Sequence, residues 1–408
     1  MQLISEHIFL FPFCWDINER YKEYNFKPQY QIKTDIFSHI KGWRFEQLSI
    51  DTDENYNEFV YFYRPVRNVL YNGNILNTYS LECVDQNSTC ELTIKDQIFM
   101  LDIKRISLRM VKSGVGLLSF YFKNTMYENA DDIKKINTFS ECVYPLSLPI
   151  DENLPTNIKI QLFDKIIIED RDNIDYKKNT GKISDFIMKV LGDDFSQSKT
   201  KHKIIIEPLM GSKMMTLCLY KNDLVFNALK HSMRIEKAKF KEICKFVDSG
   251  QYYKITPFLL YSVSTKNNDS KIYDQMVSLL VIQKASVLNF SNQIASISIL
   301  SKEDLIIAIE GLYEIYIQFI NQIYFDEVTE DEKGDFVYKT VSKMFNIKQE
   351  IEQLDFEMKE VHEFAELITR QQSNKMMEIL SVVGSGLVIP TFVTGFFGMN
   401  ILDNQLGR

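Results

Sequence analysis

The sequence predicts an α/β domain, a mixed and mainly antiparallel sheet with helices, followed by a long α-helical stalk that is continuous with a transmembrane helix. Three observations predict it. Through residue 123, aromatic and β-branched runs alternate with turn-forming stretches such as Tyr71-Asn72-Gly73-Asn74 and Asp85-Gln86-Asn87-Ser88, the pattern of antiparallel strands. From residue 222 onward, apolar residues recur at helical intervals. Between Ile379 and Met399 no residue is charged, and at a rise of about 1.5 Å per residue that run covers about 31 Å, close to the hydrocarbon thickness of a bilayer. These observations divide the chain into an α/β domain at 1–300, a helical region and stalk at 301–373, a membrane helix at 374–400, and the start of an outer loop at 401–408.

In chain order, residues 7–15 read as a strand, with Pro12 marking it as an edge strand or an interrupted one. Strands follow at 59–70, 78–84, 91–95, 98–111 and 116–123, and Gly114 and Gly116 follow Lys112-Ser113 at a hairpin. Beyond residue 129 the pattern is mixed: a helix at 130–142, a strand at 158–169, a helix at 183–191, and a strand pair at 203–208 and 214–220. Helical periodicity then governs 222–247, 272–288 and 304–324.

From 330 to 372 there is no proline, and the only glycine is Gly334. Apolar or small residues at Val337, Val341, Met344, Ile351, Leu354, Met358, Val361, Ala365 and Ile368 fall mostly in alternating steps of three and four, with Lys348 interrupting the stripe. This predicts one long helix, about 60 Å at the usual rise, running without a break into the span. Between Asp326 and Glu366 thirteen acidic residues face five lysines. A solvated helix face accounts for such charge. The functional alternative is that Asp326, Asp331, Asp335, Glu350 and Asp355 bind divalent cations between subunits, because hard cations take oxygen ligands.

The formal charge of -8 excludes non-specific nucleic-acid binding as the main task, since that draws on a basic surface. The N-terminus lacks the basic leader and small-residue cleavage site of a signal peptide. The six cysteines, Cys14, Cys83, Cys90, Cys142, Cys218 and Cys244, form no Cys-x-x-Cys pair, so reduced and mostly buried thiols are expected. Both observations place the N-terminal domain in the cytoplasm. Arg370 and Lys375 precede the span and Arg408 follows it, which favours the N-terminal side being inside. The five histidines (His7, His39, His202, His231, His362) have no His-Glu-x-x-His partner. With no phosphate loop or nucleophile elbow either, no enzyme is expected.

The span is unusual for a plain anchor. It holds Ser381, Ser385, Thr391, Thr394, Gly384, Gly386, Gly395, Gly398 and Pro390, groups that suit close helix contact or a wet lumen. Its end, Pro390-Thr391-Phe392-Val393-Thr394-Gly395-Phe396-Phe397-Gly398-Met399-Asn400, resembles the end of the first membrane helix in the CorA family of divalent-cation channels, whose signature is Gly-Met-Asn. The likeness extends upstream to Asn374, Met377 and Leu380, and covers 27 residues; elsewhere it is one of layout.

The resemblance implies a homo-oligomer, pentameric as in the family, in the inner membrane among lipids, with Mg²⁺ or a related divalent cation as cargo and regulatory cation sites between cytoplasmic α/β/α domains. On a helix, Asn374, Met377, Ser381, Gly384, Val388 and Thr391 share one stripe. If copies ring an axis, Asn374 sits at the cytoplasmic mouth, Met377 and Leu380 form an apolar collar that gates by dewetting, and Thr391 gives a hydroxyl ring. Asn400 is then the outer selectivity element, where amide oxygens hold a hydrated ion without stripping its shell. The resemblance has Gly398 and Met399 shape the turn before it; the plain alternative is that Asn400 caps the helix. Against the family pattern, Pro390 directly precedes Thr391, and residues 401–408 do not represent a second membrane helix, acidic outer loop or basic tail. Some CorA-like proteins accompany CRISPR systems. The resemblance therefore leaves a second function open, a membrane effector of antiviral defence opened by a nucleotide-type messenger, with Arg64, Arg67, Lys104, Arg105 and Arg109 as partners for that anion. A third is a membrane-tethered scaffold without conduction.

Overall fold

The computed structural model describes residues 3–17, 43–71, 73, 75–81, 88–141, 155–162, 165–170, 182–192, 204–209, 214–235, 250–265, 270–297 and 300–403; for 204, 232–235, 302–303 and 383–403 it describes the backbone alone. Its sheet has twelve strands among these residues, and β1 (Ser5–Ile17) runs through the middle. The run His7-Ile8-Phe9-Leu10-Phe11-Pro12-Phe13 is almost wholly apolar because β1 is buried on both faces. Along one side β1 pairs with β6 (Val115–Asn124). Along the other it pairs first with β10 (Met215–Lys221), up to Leu10, and then with β9 (Ile204–Pro208), from Phe13. The edge position that Pro12 suggested is therefore corrected: the strand is central, and the proline falls where its partner changes, a place where a missing N–H weakens no continuous ladder.

The second long strand, β5 (Gln97–Val111), repeats this arrangement. It pairs with β6 along one side, while on the other β4 (Thr89–Ile94) covers Gln97 to Asp102 and β3 (Leu76–Leu81) covers Ile106 to Val111. A register shift between Ile103 and Arg105 leaves Lys104 as the extra residue of a bulge. The sheet continues from β4 to β7 (Asn157–Leu162) and β8 (Lys165–Asp170), and β2 (Trp43–Phe45) pairs with β3. One pairing is parallel, β10 with β12 (Leu259–Ser264), and β11 (Gln251–Thr256) closes that end. The sheet is thus mixed and mainly antiparallel.

Helices cover both faces. On one lie α3 (Ala130–Ile136), the 3-10 turn Asn137–Glu141, α4 (Asp185–Leu191) and α5 (Asp223–Ile235). There Phe9, Phe120, Phe122 and Phe139 pack ring to ring, with centroids 4.6 to 6.2 Å apart. On the other face α6 (Ser270–Ile297) crosses β1, β6 and β10. It carries on its outer side α7 (Lys302–Gln322), α8 (Glu332–Met344) and α9 (Ile347–Asp403).

Several expectations are corrected. Residues 59–61 and 64–70 are helical, not extended: α1 (Asp53–Tyr61) starts where Thr52 Oγ1 accepts the Asn55 N–H, and α2 (Arg64–Leu70) starts with Pro65 in its first turn. Those caps outweigh the aromatic composition. Residues 158–169 fold as the β7 and β8 hairpin, and β9 and β10 pair with β1 and not with each other. Strands β11 and β12, which no expectation covered, complete the sheet. The stalk is not one helix from 330. Asn346 adopts φ 54°, its N–H reaching the Lys343 carbonyl at 3.1 Å, and this left-handed residue separates α8 from α9. α9 alone has 57 residues, about 85 Å at the standard rise. Its first half buries Ile351, Leu354, Met358, Ala365 and Ile368, as the stripe predicts.

Candidate functional site

The helix α9 carries the residues expected to line a pore. Asn374, Met377, Leu380 and Ser381 are all exposed. Around them Met376, Ile379 and Val382 are 60 to 70% accessible, as are Met377 and Leu380. At 100° per residue these five apolar side chains spread over about 220° of the helix circumference, and they stay exposed among the described residues. Gly384, Val388, Thr391, Gly398, Met399 and Asn400 lie outside the residues whose side chains are described. Their backbone is helical and continues to Asp403. Among the described residues no helix is long and apolar enough to cross a membrane.

Each carboxylate proposed for cation binding has a partner within its own chain. Asp326 accepts the Tyr324 hydroxyl at 2.8 Å, and burial with that bond pushes the phenol up to about 12. Asp331 is the N-cap of α8, accepting the Gly334 N–H and the Tyr61 hydroxyl, each at 2.8 Å. Asp335 pairs with Lys339 at 3.0 Å, and Asp355 with Lys359 at 2.5 Å while accepting the Tyr316 hydroxyl. Glu350 pairs with Lys284 of α6. Among the described residues no group of three or more metal-ligating side chains occurs.

Of the five cations expected to meet an anion, Arg105 and Arg109 converge on the buried Asp274, whereas Arg64, Arg67 and Lys104 have other surroundings. Arg64 is exposed at the start of α2. Arg67 donates to the Val60 and Phe62 carbonyls and lies over the Phe59 ring. Lys104, on the bulge, pairs with Glu6 at 2.6 Å. Arg109 is 1% exposed and bonds Asp274 of α6 at 2.7 Å, with Ser119 and Tyr121 beside it. Burial disfavours the charged form of Asp274, yet Arg109 and Arg105 outweigh it and hold that carboxyl below the usual range.

Arg105 lines a cavity. It lies over the Tyr121 ring, 4.3 Å from the centroid, and reaches Asp274 at 3.4 Å and Glu46 at 3.7 Å. The cavity, about 380 Å³, is walled by Phe45, Glu46, Glu58, Tyr71, Lys271 and Gln275 among others. None of these six was singled out from sequence. The signal available was Asp274, one acid within the apolar periodicity of 272–288, which demanded a buried cation.

Residues 317–402 match the family described as CorA-like Mg2+ transporter protein. Comparison with curated proteins and with solved structures gives no match.

Proposed function

We propose that copies of this chain assemble, as a pentamer, into a CorA-like channel for divalent cations, with Mg²⁺ as the preferred cargo and α9 lining the path. The observation that carries the reading is the exposed apolar tract from Met376 to Val382, midway along a 57-residue helix that lies almost wholly within the matched residues. Exposed apolar side chains spread so widely around a helix suit contact with both lipid and neighbouring helices. In the assembly Asn374 marks the inner mouth, Met377 and Leu380 the collar, and Thr391 and Asn400 the outer end. The described domain then sits on the cytoplasmic side of the inner membrane and performs no catalysis. The partnered state of Asp326, Asp331, Asp335, Glu350 and Asp355 favours structural roles for them over regulatory cation binding. The alternative of opening by a nucleotide-type messenger keeps one point of support, Arg105 on the cavity wall.

Flux into liposomes loaded with a Mg²⁺-sensitive dye tests the proposal. The protein is expected to pass Mg²⁺ in preference to monovalent ions, and Asn400→Ala to lose that preference. Unchanged selectivity in Asn400→Ala removes the assigned filter, and absence of flux removes the channel.

A further inference from the structure

We propose that the cavity between β2, β3, β5, α1 and α6 binds a small amphoteric molecule, one that sets an anionic group against Arg105 and Lys271 and offers N–H donors to Glu58 and Glu46. Its volume of about 380 Å³ lies in the range of small-molecule sites. Its place follows from the sheet. Arg105 stands between Asp102, the last residue of β5 paired with β4, and Ile106, the first paired with β3, so that among the described residues neither β4 nor β3 pairs with it on that side of β5.

The charged groups are held before any ligand arrives. Tyr121 and Asp274 orient Arg105 from behind. Glu58 is only 5% exposed, and its Oε1 accepts the Tyr71 hydroxyl at 3.0 Å and the Gln275 amide at 3.3 Å. Both donors are neutral, so the carboxylate retains acceptor capacity for a charged or N–H-bearing group. Lys271 projects from the first turn of α6, where it meets Glu54 at 3.0 Å. A purely anionic ligand would meet Glu46 and Glu58, and a purely cationic one would meet Arg105 and Lys271. A molecule carrying both functions satisfies the wall, and side chains already fixed in place lower the ordering cost of binding.

Occupancy would be felt along α6, because Lys271 and Gln275 begin the helix that farther on reaches the Ile323 carbonyl and Tyr338 through Gln283 and Glu350 of α9 through Lys284. The inference rests on the cavity and not on conduction. Two amphoteric probes, adenosine monophosphate and O-phosphoserine, with inorganic phosphate and adenosine as single-function controls, are titrated calorimetrically into the full chain in detergent. At least one amphoteric probe is expected to bind saturably, and the controls at least tenfold more weakly. Preference for adenosine monophosphate identifies a ring-bearing ligand, and preference for O-phosphoserine an aliphatic one. Lys271→Glu is expected to lower the affinity at least tenfold and Thr78→Trp, which fills the cavity, to abolish binding, with unchanged thermal midpoints in the absence of probe. No saturable binding of either probe up to about 5 mM, phosphate or adenosine binding as tightly as the amphoteric probes, or equal affinity in the parent and both variants overturns the proposal.

Discussion

Arg109 and Asp274, each 1% exposed, form the most deeply buried ion pair among the described residues, and Tyr121 and Ser278 donate to the same carboxylate. Such a pair gives little net stability, but breaking it leaves a buried charge uncompensated. Asp274→Asn is therefore expected to cost about 3 to 5 kcal/mol in urea unfolding, and the double change Arg109→Met with Asp274→Leu to recover much of that loss. A double variant as unstable as Asp274→Asn would show that the loss comes from packing and not charge. His7 makes a different prediction. It is fully buried between Ser5 and Asn137, and burial lowers its pKa to about 4 despite the Asn137 bond. The unfolded chain takes up the proton near pH 6.5, so it binds more protons than the folded one between pH 6.5 and 4, and stability falls as the pH drops through that window. The single-site contribution is about 3 kcal/mol by linkage, and His7→Gln is expected to flatten the decline. Glu169 has the opposite sign: burial raises it to about 7 despite the Ser184 bond, so its contribution is present at low pH and is lost as pH rises from about 4.5 to 7.

At the level of elements, strands with plain alternation or continuous apolar runs were legible, because β5 and β6 present their period directly to one or both covered faces. Residues 59–70 were not, since their aromatic composition imitates a strand while the decisive signals, Thr52 as cap and Pro65 at the helix start, are single residues. The break at Asn346 was equally hidden. No glycine or proline marks it, and asparagine was free to sit within a helix until tertiary packing of α8 and α9 on α6 required a turn there. Asn346→Ala is expected to lower stability by about 1 kcal/mol, because alanine tolerates the left-handed region poorly, while Asn346→Gly leaves it unchanged or higher. Thermal midpoints of the two variants check this, and equal losses in both would show that the Asn346 side chain itself matters. Gly116 belongs to the same scale. A Cβ there would stand 2.3 Å from the Phe13 ring, so Gly116→Val is expected to cost about 3 kcal/mol or more through overpacking between β1 and β6.

For the whole molecule, the contrast between a domain built on a large buried core and the exposed apolar tract from Met376 to Val382 has a direct consequence. The full chain is expected to fractionate with membranes, whereas residues 1–372 remain in the supernatant with the same thermal midpoint. Recovery of the full chain in the supernatant would show that residues 376–403 find cover without lipid. The apolar run, the Gly-Met-Asn signature and the amphipathic stripe of the stalk are local properties, and the sequence by itself determined from them the likeness to a CorA transporter and the direction of the long helix. Which residues build the ligand cavity was decided by tertiary structure alone. Glu46, Glu58, Arg105 and Lys271 come from four separate segments, and only the partner change along β5 and the crossing of α6 bring them to one place. Charge placement between distant segments leaves no period in a chain, because it depends on which strands pair and on which face a helix covers.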